Sequence, residues 1–218
     1  MLIVLGDSFS YGYNFSNEER DESVYATKLG EKLKLDVINL SAPGGSNWRI
    51  ARLIETTNIV KEDIVIISWT YLGRFELGVS KNHFVPPSKR IGDLLEQHEN
   101  ITTKKFFVQL IDGTTDKQAK NLAEIVYNHF YEPEWFKVMF KIMFNSCVYK
   151  LEKIGCKWLM FNALTNESEN NNIKHKNYIF SDKTMSEVLN KRDVGYWNKE
   201  EHIKISNILY EKLKEIYG

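Results

Sequence analysis

Cysteine is scarce in this chain, with only Cys147 and Cys156 in 218 residues. Small secreted domains held together by disulfides need a denser set. Cys147 falls in an apolar helical pattern and Cys156 opens a strand-like run, so both are expected as buried thiols. Histidine is also sparse, at five residues. With no histidine cluster and no Cys-x-x-Cys, we expect neither a metal site nor a cofactor. There is no excess of either charge, since 29 basic residues balance 29 acidic ones. Broad attraction to nucleic acid or to an anionic membrane is therefore not expected. Long apolar runs are missing as well. Nothing approaches the 18 residues of a membrane span, and no basic segment leads into an apolar stretch of signal length. The chain is expected to be cytoplasmic. Its length suits one domain over residues 1–218.

What the chain does have is a set of short, fully apolar runs. Leu2-Ile3-Val4-Leu5 shows no polar alternation, which suits a strand buried on both faces of a parallel sheet. It passes directly into Gly6-Asp7-Ser8-Phe9-Ser10-Tyr11. Open α/β sheets carry their chemistry at the carboxyl ends of strands, so Ser8 is a candidate for a functional hydroxyl. An ordinary Gly-Asp-Ser turn would use the same residues.

Further along, 21–33 carries an amphipathic helical pattern, and 35–40 reads as a second strand. Ser46 can cap a helix through Thr57, and 63–69 is a β-branched third strand. Residues 72–105 are hard to read, with a break at Pro86-Pro87 and a short helix near 91–97. Two long helices are expected at 116–129 and 133–153. In the second, Trp135, Val138, Met139, Ile142, Met143 and Cys147 form the expected core stripe. A fourth strand covers 157–161 and an exposed loop covers 165–176. A short helix near 183–189 and a terminal helix from Asn198 complete the chain. Strands alternating with helices point to a parallel sheet covered on both sides.

The block Gly-Asp-Ser-Phe-Ser after an N-terminal strand resembles the first block of the SGNH, or GDSL-type, hydrolases. Asn39-Leu40-Ser41-Ala42-Pro43-Gly44-Gly45-Ser46-Asn47 is similar to the second block. Trp69-Thr70 with Arg74 and Glu76 resembles a bacterial and phage-like branch. Asp193-Val194-Gly195-Tyr196-Trp197-Asn198 through His202 follows the framework of the last block. The resemblance implies a three-layer α/β/α sandwich with a flavodoxin-like parallel sheet of four or five strands.

It also implies a serine esterase or deacylase acting on an O-acyl ester, such as an O-acetyl group on carbohydrate or a related small-molecule ester. Ser8 would be the nucleophile, and the Ser8 and Gly44 amides would bind the oxyanion. Asn47 or Thr70 would add a side-chain donor, because the family's third-block asparagine is replaced here. Trp69, Arg74 and Tyr196 are candidates for substrate contact, although Arg74 and Glu76 could equally be a surface pair.

The main departure is at the family's histidine, where this chain has Tyr196. A serine alcohol needs a base to take its proton, and a phenol with a reference pKa of about 10 cannot readily serve. His202, oriented by Asp193, is the nearest substitute, with His175 and His83 behind it. Without any histidine base, the chain would be a catalytically impaired binding protein on an enzyme scaffold. With one, the same acyl-enzyme could also pass its acyl group to another alcohol, as a transferase.

Overall fold

The computed structural model describes residues 1–80, 105–110, 125, 129, 132–163, 173–190 and 195–218. Four strands, β1 (Leu2–Leu5), β2 (Val37–Asn39), β3 (Ile64–Trp69) and β6 (Lys157–Asn162), form one parallel sheet in the order β2-β1-β3-β6. Two more, β4 (Phe75–Ser80) and β5 (Lys105–Leu110), make an antiparallel pair that was not legible in the sequence. The helices are α1 (Ser8–Tyr11), α2 (Asn17–Ser23), α3 (Tyr25–Leu33), α4 (Asn47–Thr56), α5 (Pro133–Ile154), α6 (Met185–Val188) and α7 (Lys199–Tyr217). The expected helices at 91–97 and 116–129 lie outside the described residues, apart from Ile125 and His129, which are helical and exposed. None of the described helices is long and apolar enough to cross a membrane.

The apolar runs work as a two-sided sheet requires. Successive side chains of a strand point to opposite faces, so Ile3, Leu5, Val65, Ile67, Trp158 and Met160 share one core with α4 and α5. Leu2, Val4, Ile64, Ile66, Leu159 and Phe161 share the other with α3 and α7. This is the expected three-layer α/β/α arrangement.

One expectation is corrected. Trp135, Val138 and Ile142 of α5 are exposed, while Phe136, Phe140, Met143, Phe144, Cys147 and Leu151 are buried. The helix carries apolar residues on two sides, so periodicity could not set its rotation. The sheet sets it: Phe140 packs edge-on against Trp69 at the end of β3, with ring centroids 5.2 Å apart. Both cysteines are buried free thiols, as expected.

Helix termini follow their sequence signals. Ser46 caps α4 by accepting from the Arg49 amide. Asn198 forms a capping box with Glu201 at the start of α7. Gly155, at φ 75°, ends α5 in the left-handed conformation that glycine adopts without strain.

Phe140→Ala should leave a cavity under the sheet and lower stability by about 3–5 kcal/mol. Urea unfolding would read this as a lower midpoint with an unchanged slope.

Candidate active site

The carboxyl ends of β1, β2 and β3 bring together the turn 6–11, the loop 40–47 and the segment 70–74. Gly6 leads into the turn. A Cβ there would sit 2.5 Å from Ser10 Oγ and 3.1 Å from Ser68 Cβ, so only glycine lets α1 fold back so closely. Asp7 caps α1, its Oδ1 accepting from the Phe9 amide at 3.0 Å. Ser8 is the first residue of that helix and is nearly buried. Its hydroxyl makes no hydrogen bond among the described residues. Asn39 ties β2 to the same turn by donating to the Ser10 carbonyl at 3.0 Å.

The loop after β2 packs against the turn. The Ala42 amide donates to the Gly6 carbonyl, and the Gly45 amide donates back to the Ala42 carbonyl. Pro43 and Gly44 occupy the two central positions of this second turn. Gly44 at φ 70° suits the place where a type II turn demands a positive φ. Gly45 is needed for a different reason, because a Cβ there would lie 2.9 Å from the Gly6 carbonyl oxygen and 3.4 Å from Asp7 Cα. The Gly44 and Ser8 amides find no acceptor among the described residues. Two backbone donors at neighbouring strand ends can stabilise negative charge.

The side chains expected to add a third donor are engaged elsewhere. Asn47 grips the backbone of Thr70 with both ends of its amide: Nδ2 donates to the Thr70 carbonyl at 3.0 Å, and Oδ1 accepts from the Thr70 amide at 2.9 Å. Thr70 gives its single hydroxyl proton to Asp7 Oδ2 at 2.6 Å. It therefore has no proton left for an oxyanion. Arg74 Nη1 donates to Asp7 Oδ2 at 2.9 Å and to Thr70 Oγ1 at 2.8 Å. The Arg74–Glu76 pair is not formed. Glu76 is held by Arg52 through two hydrogen bonds, at 2.6 and 2.8 Å.

Two further expectations change. Trp69 is not a substrate contact, because its ring lies in the core against Phe140 and Phe144. His202 is not poised as a base. Its side chain is fully buried between α3 and α7, stacked on Tyr25 and beside Phe15 and Trp197. The Tyr25 amide donates to His202 Nδ1 at 3.1 Å, which puts the proton of the neutral ring on Nε2. Nε2 meets no partner among the described residues. An imidazole whose acceptor nitrogen is taken by a backbone amide has nothing with which to receive the Ser8 proton.

His175 stacks on Trp158 near the amino end of β6 and lies 3.4 Å from Glu152, so it too is remote from the strand ends that hold Ser8. Asp193 and His83 lie outside the described residues. Tyr196 does stand next to the turn that carries Ser8, its half-exposed ring 5.0 Å from Phe9 and 5.4 Å from Tyr13.

Sequence reasoning missed Asp7 and Gly45. The signal for Asp7 was an acidic residue directly before a short helix, in the position of an N-cap. For Gly45 it was the doubled glycine, one for the turn and one for the close approach.

No protein-family model and no curated protein matches the chain. Among solved structures it is similar to a putative lipolytic protein of the G-D-S-L family from Desulfitobacterium hafniense DCB-2. That match has 10% identity and a TM-score of 0.45, covering 97% of this chain and 98% of the other. A G-D-S-L lipolytic protein from Veillonella parvula DSM 2008 matches at 10% identity and a TM-score of 0.36, covering 99% and 97%. The psychrotrophic esterase EstA from Pseudoalteromonas sp. matches at 15% identity and a TM-score of 0.36, again covering 99% and 97%. The first two are proteins of the G-D-S-L lipolytic family.

Burial without a charged partner pulls the His202 pKa down from 6.5 to about 4. The unfolded chain therefore takes up this proton first. His202 contributes its full share of stability above pH 6.5 and loses it progressively as pH falls toward 4. The linked loss is about 3 kcal/mol. Unfolding curves between pH 7 and 4 should be flatter by that amount in His202→Gln than in the unaltered chain.

Proposed function

We propose that the chain is a serine ester hydrolase acting on a small O-acyl ester through a Ser8 acyl-enzyme. The observation that carries this reading is that the Ser8 hydroxyl and the Ser8 and Gly44 amides, at adjoining strand ends, have no hydrogen-bond partner among the described residues. Attack by Ser8 Oγ on an ester carbonyl would place negative charge on the carbonyl oxygen, and these two amides would hold it. Collapse of the intermediate would expel the alcohol, which carries off the proton given up by Ser8, and water would release the acyl group as its acid and return a proton to Ser8. An O-acetyl carbohydrate is one substrate of this type, and transfer to a second alcohol would use the same intermediate.

A second reading has its own support. Tyr196 stands at the mouth where the resemblance puts a histidine, and His202 is locked in the core. A serine without an imidazole turns over slowly, which is how a binding protein built on this scaffold would behave.

Hydrolysis of short-chain 4-nitrophenyl esters separates the two readings. Any turnover should disappear in Ser8→Ala, and activity unchanged by that substitution would remove Ser8 from the mechanism. Tyr196→His should raise the rate by roughly 10²- to 10⁴-fold, the usual worth of a general base. His202→Gln should leave the rate as it is, since the ring lies away from the reacting atoms.

A further inference from the structure

We propose that Arg74 makes the Ser8 cleft selective for esters carrying an anionic group, a carboxylate or phosphate, close to the scissile bond. This rests on the ester-site reading above and names the substrate class for it. Arg74 is tethered at one corner only. Nη1 is held by Asp7 Oδ2 and Thr70 Oγ1, and the guanidinium lies 5.0 Å from the centre of the Tyr71 ring. Nε and Nη2 have no acceptor among the described residues. A guanidinium has five N–H donors in a rigid fork, so most of this one remains available.

The side chain is 19% exposed, so the fork is neither sealed from a ligand nor fully hydrated. Its anchor is the residue immediately before Ser8, which fixes the fork beside the nucleophile turn. The neighbouring carboxylate Glu76 does not compete for it, being occupied bidentately by Arg52. A planar, partly desolvated fork held from one corner matches carboxylate and phosphate oxygens bidentately. Such a group on the substrate would also place its ester within reach of the Ser8 and Gly44 amides.

Binding to the Ser8→Ala protein tests this without turnover. Calorimetric titration with monomethyl succinate should give an affinity at least tenfold above that for methyl levulinate, its neutral counterpart with a methyl ketone in place of the carboxylate. Raising the salt concentration should weaken only the charged ligand. Adding Arg74→Gln should bring the ratio close to one, and adding Arg74→Lys should leave it intermediate. Equal affinities in Ser8→Ala, or a ratio that survives Arg74→Gln, would overturn the proposal. Should Arg74→Gln fail to fold, the charged-to-neutral ratio, its salt dependence and the lysine variant still decide it. If Ser8→Ala discriminates while the unaltered chain hydrolyses no ester, the anion site stands and the hydrolase reading falls.

Discussion

The site depends on the carboxylate of Asp7. It is completely buried, and an ionised carboxylate taken out of water costs several kcal/mol unless donors replace its hydration. Three do so. The Phe9 amide takes one oxygen, and the Thr70 hydroxyl and Arg74 share the other. Because these donors come from α1, from the exit of β3 and from the approach to β4, one charge fixes three segments relative to each other. The position of Ser8 follows from it, since Ser8 is covalently next to the charge that everything else is arranged to satisfy.

The same constraint runs on through Thr70. Its hydroxyl is committed to Asp7 and its backbone to Asn47, so the loop 40–47 is registered against the end of β3 by Asn47. Two side chains that look like oxyanion donors are therefore the latch that positions the loop. The donors left for chemistry are backbone amides, which need no rotamer to be held and lose no side-chain entropy on binding. Gly45 allows backbone to approach backbone here, Gly6 makes room for the Ser10 and Ser68 side chains, and Gly44 supplies the positive φ of the turn.

The sheet was legible because β1, β3 and β6 are apolar runs buried on both faces, a pattern set by the strand itself, while β2, whose Ile38 is exposed, was read from its own short apolar run at the sheet edge. The β4–β5 pair was not, because Phe75–Ser80 meets Lys105–Leu110 across 24 intervening residues and its ladder leaves no local signature. Helix rotation was the other gap. On α7 the buried stripe is His202, Ile205, Leu209 and Leu213, whereas Ile203 is exposed. The isoleucine and leucine spacing of this helix, Ile203, Ile205, Ile208, Leu209, Leu213 and Ile216, gives a stripe that leaves His202 out. Placing it one residue earlier puts the imidazole among the aromatic rings between α3 and α7. Ser8 and Gly44 were legible because glycine and a strand end define a position without any rotation to choose.

The electrostatic balance of the described site has a consequence for its chemistry. The turn and the loop present two amide N–H groups and a guanidinium edge, all of them donors. Asp7 is committed to three donors and Glu76 to Arg52, and no imidazole nitrogen among the described residues is offered to Ser8. A cleft rich in donors and poor in acceptors stabilises negative charge that a ligand brings, or that develops on a carbonyl oxygen, far better than it creates an alkoxide. If Ser8 acts as proposed, removal of its proton would be the step with the least help from the described residues, and stabilisation of an oxyanion the step with the most. The ring of Tyr196 occupies the edge of this cleft beside Phe9 and Tyr13, where it gives an apolar wall. In the proposed reaction the reactivity of Ser8 would be set by whatever accepts its proton.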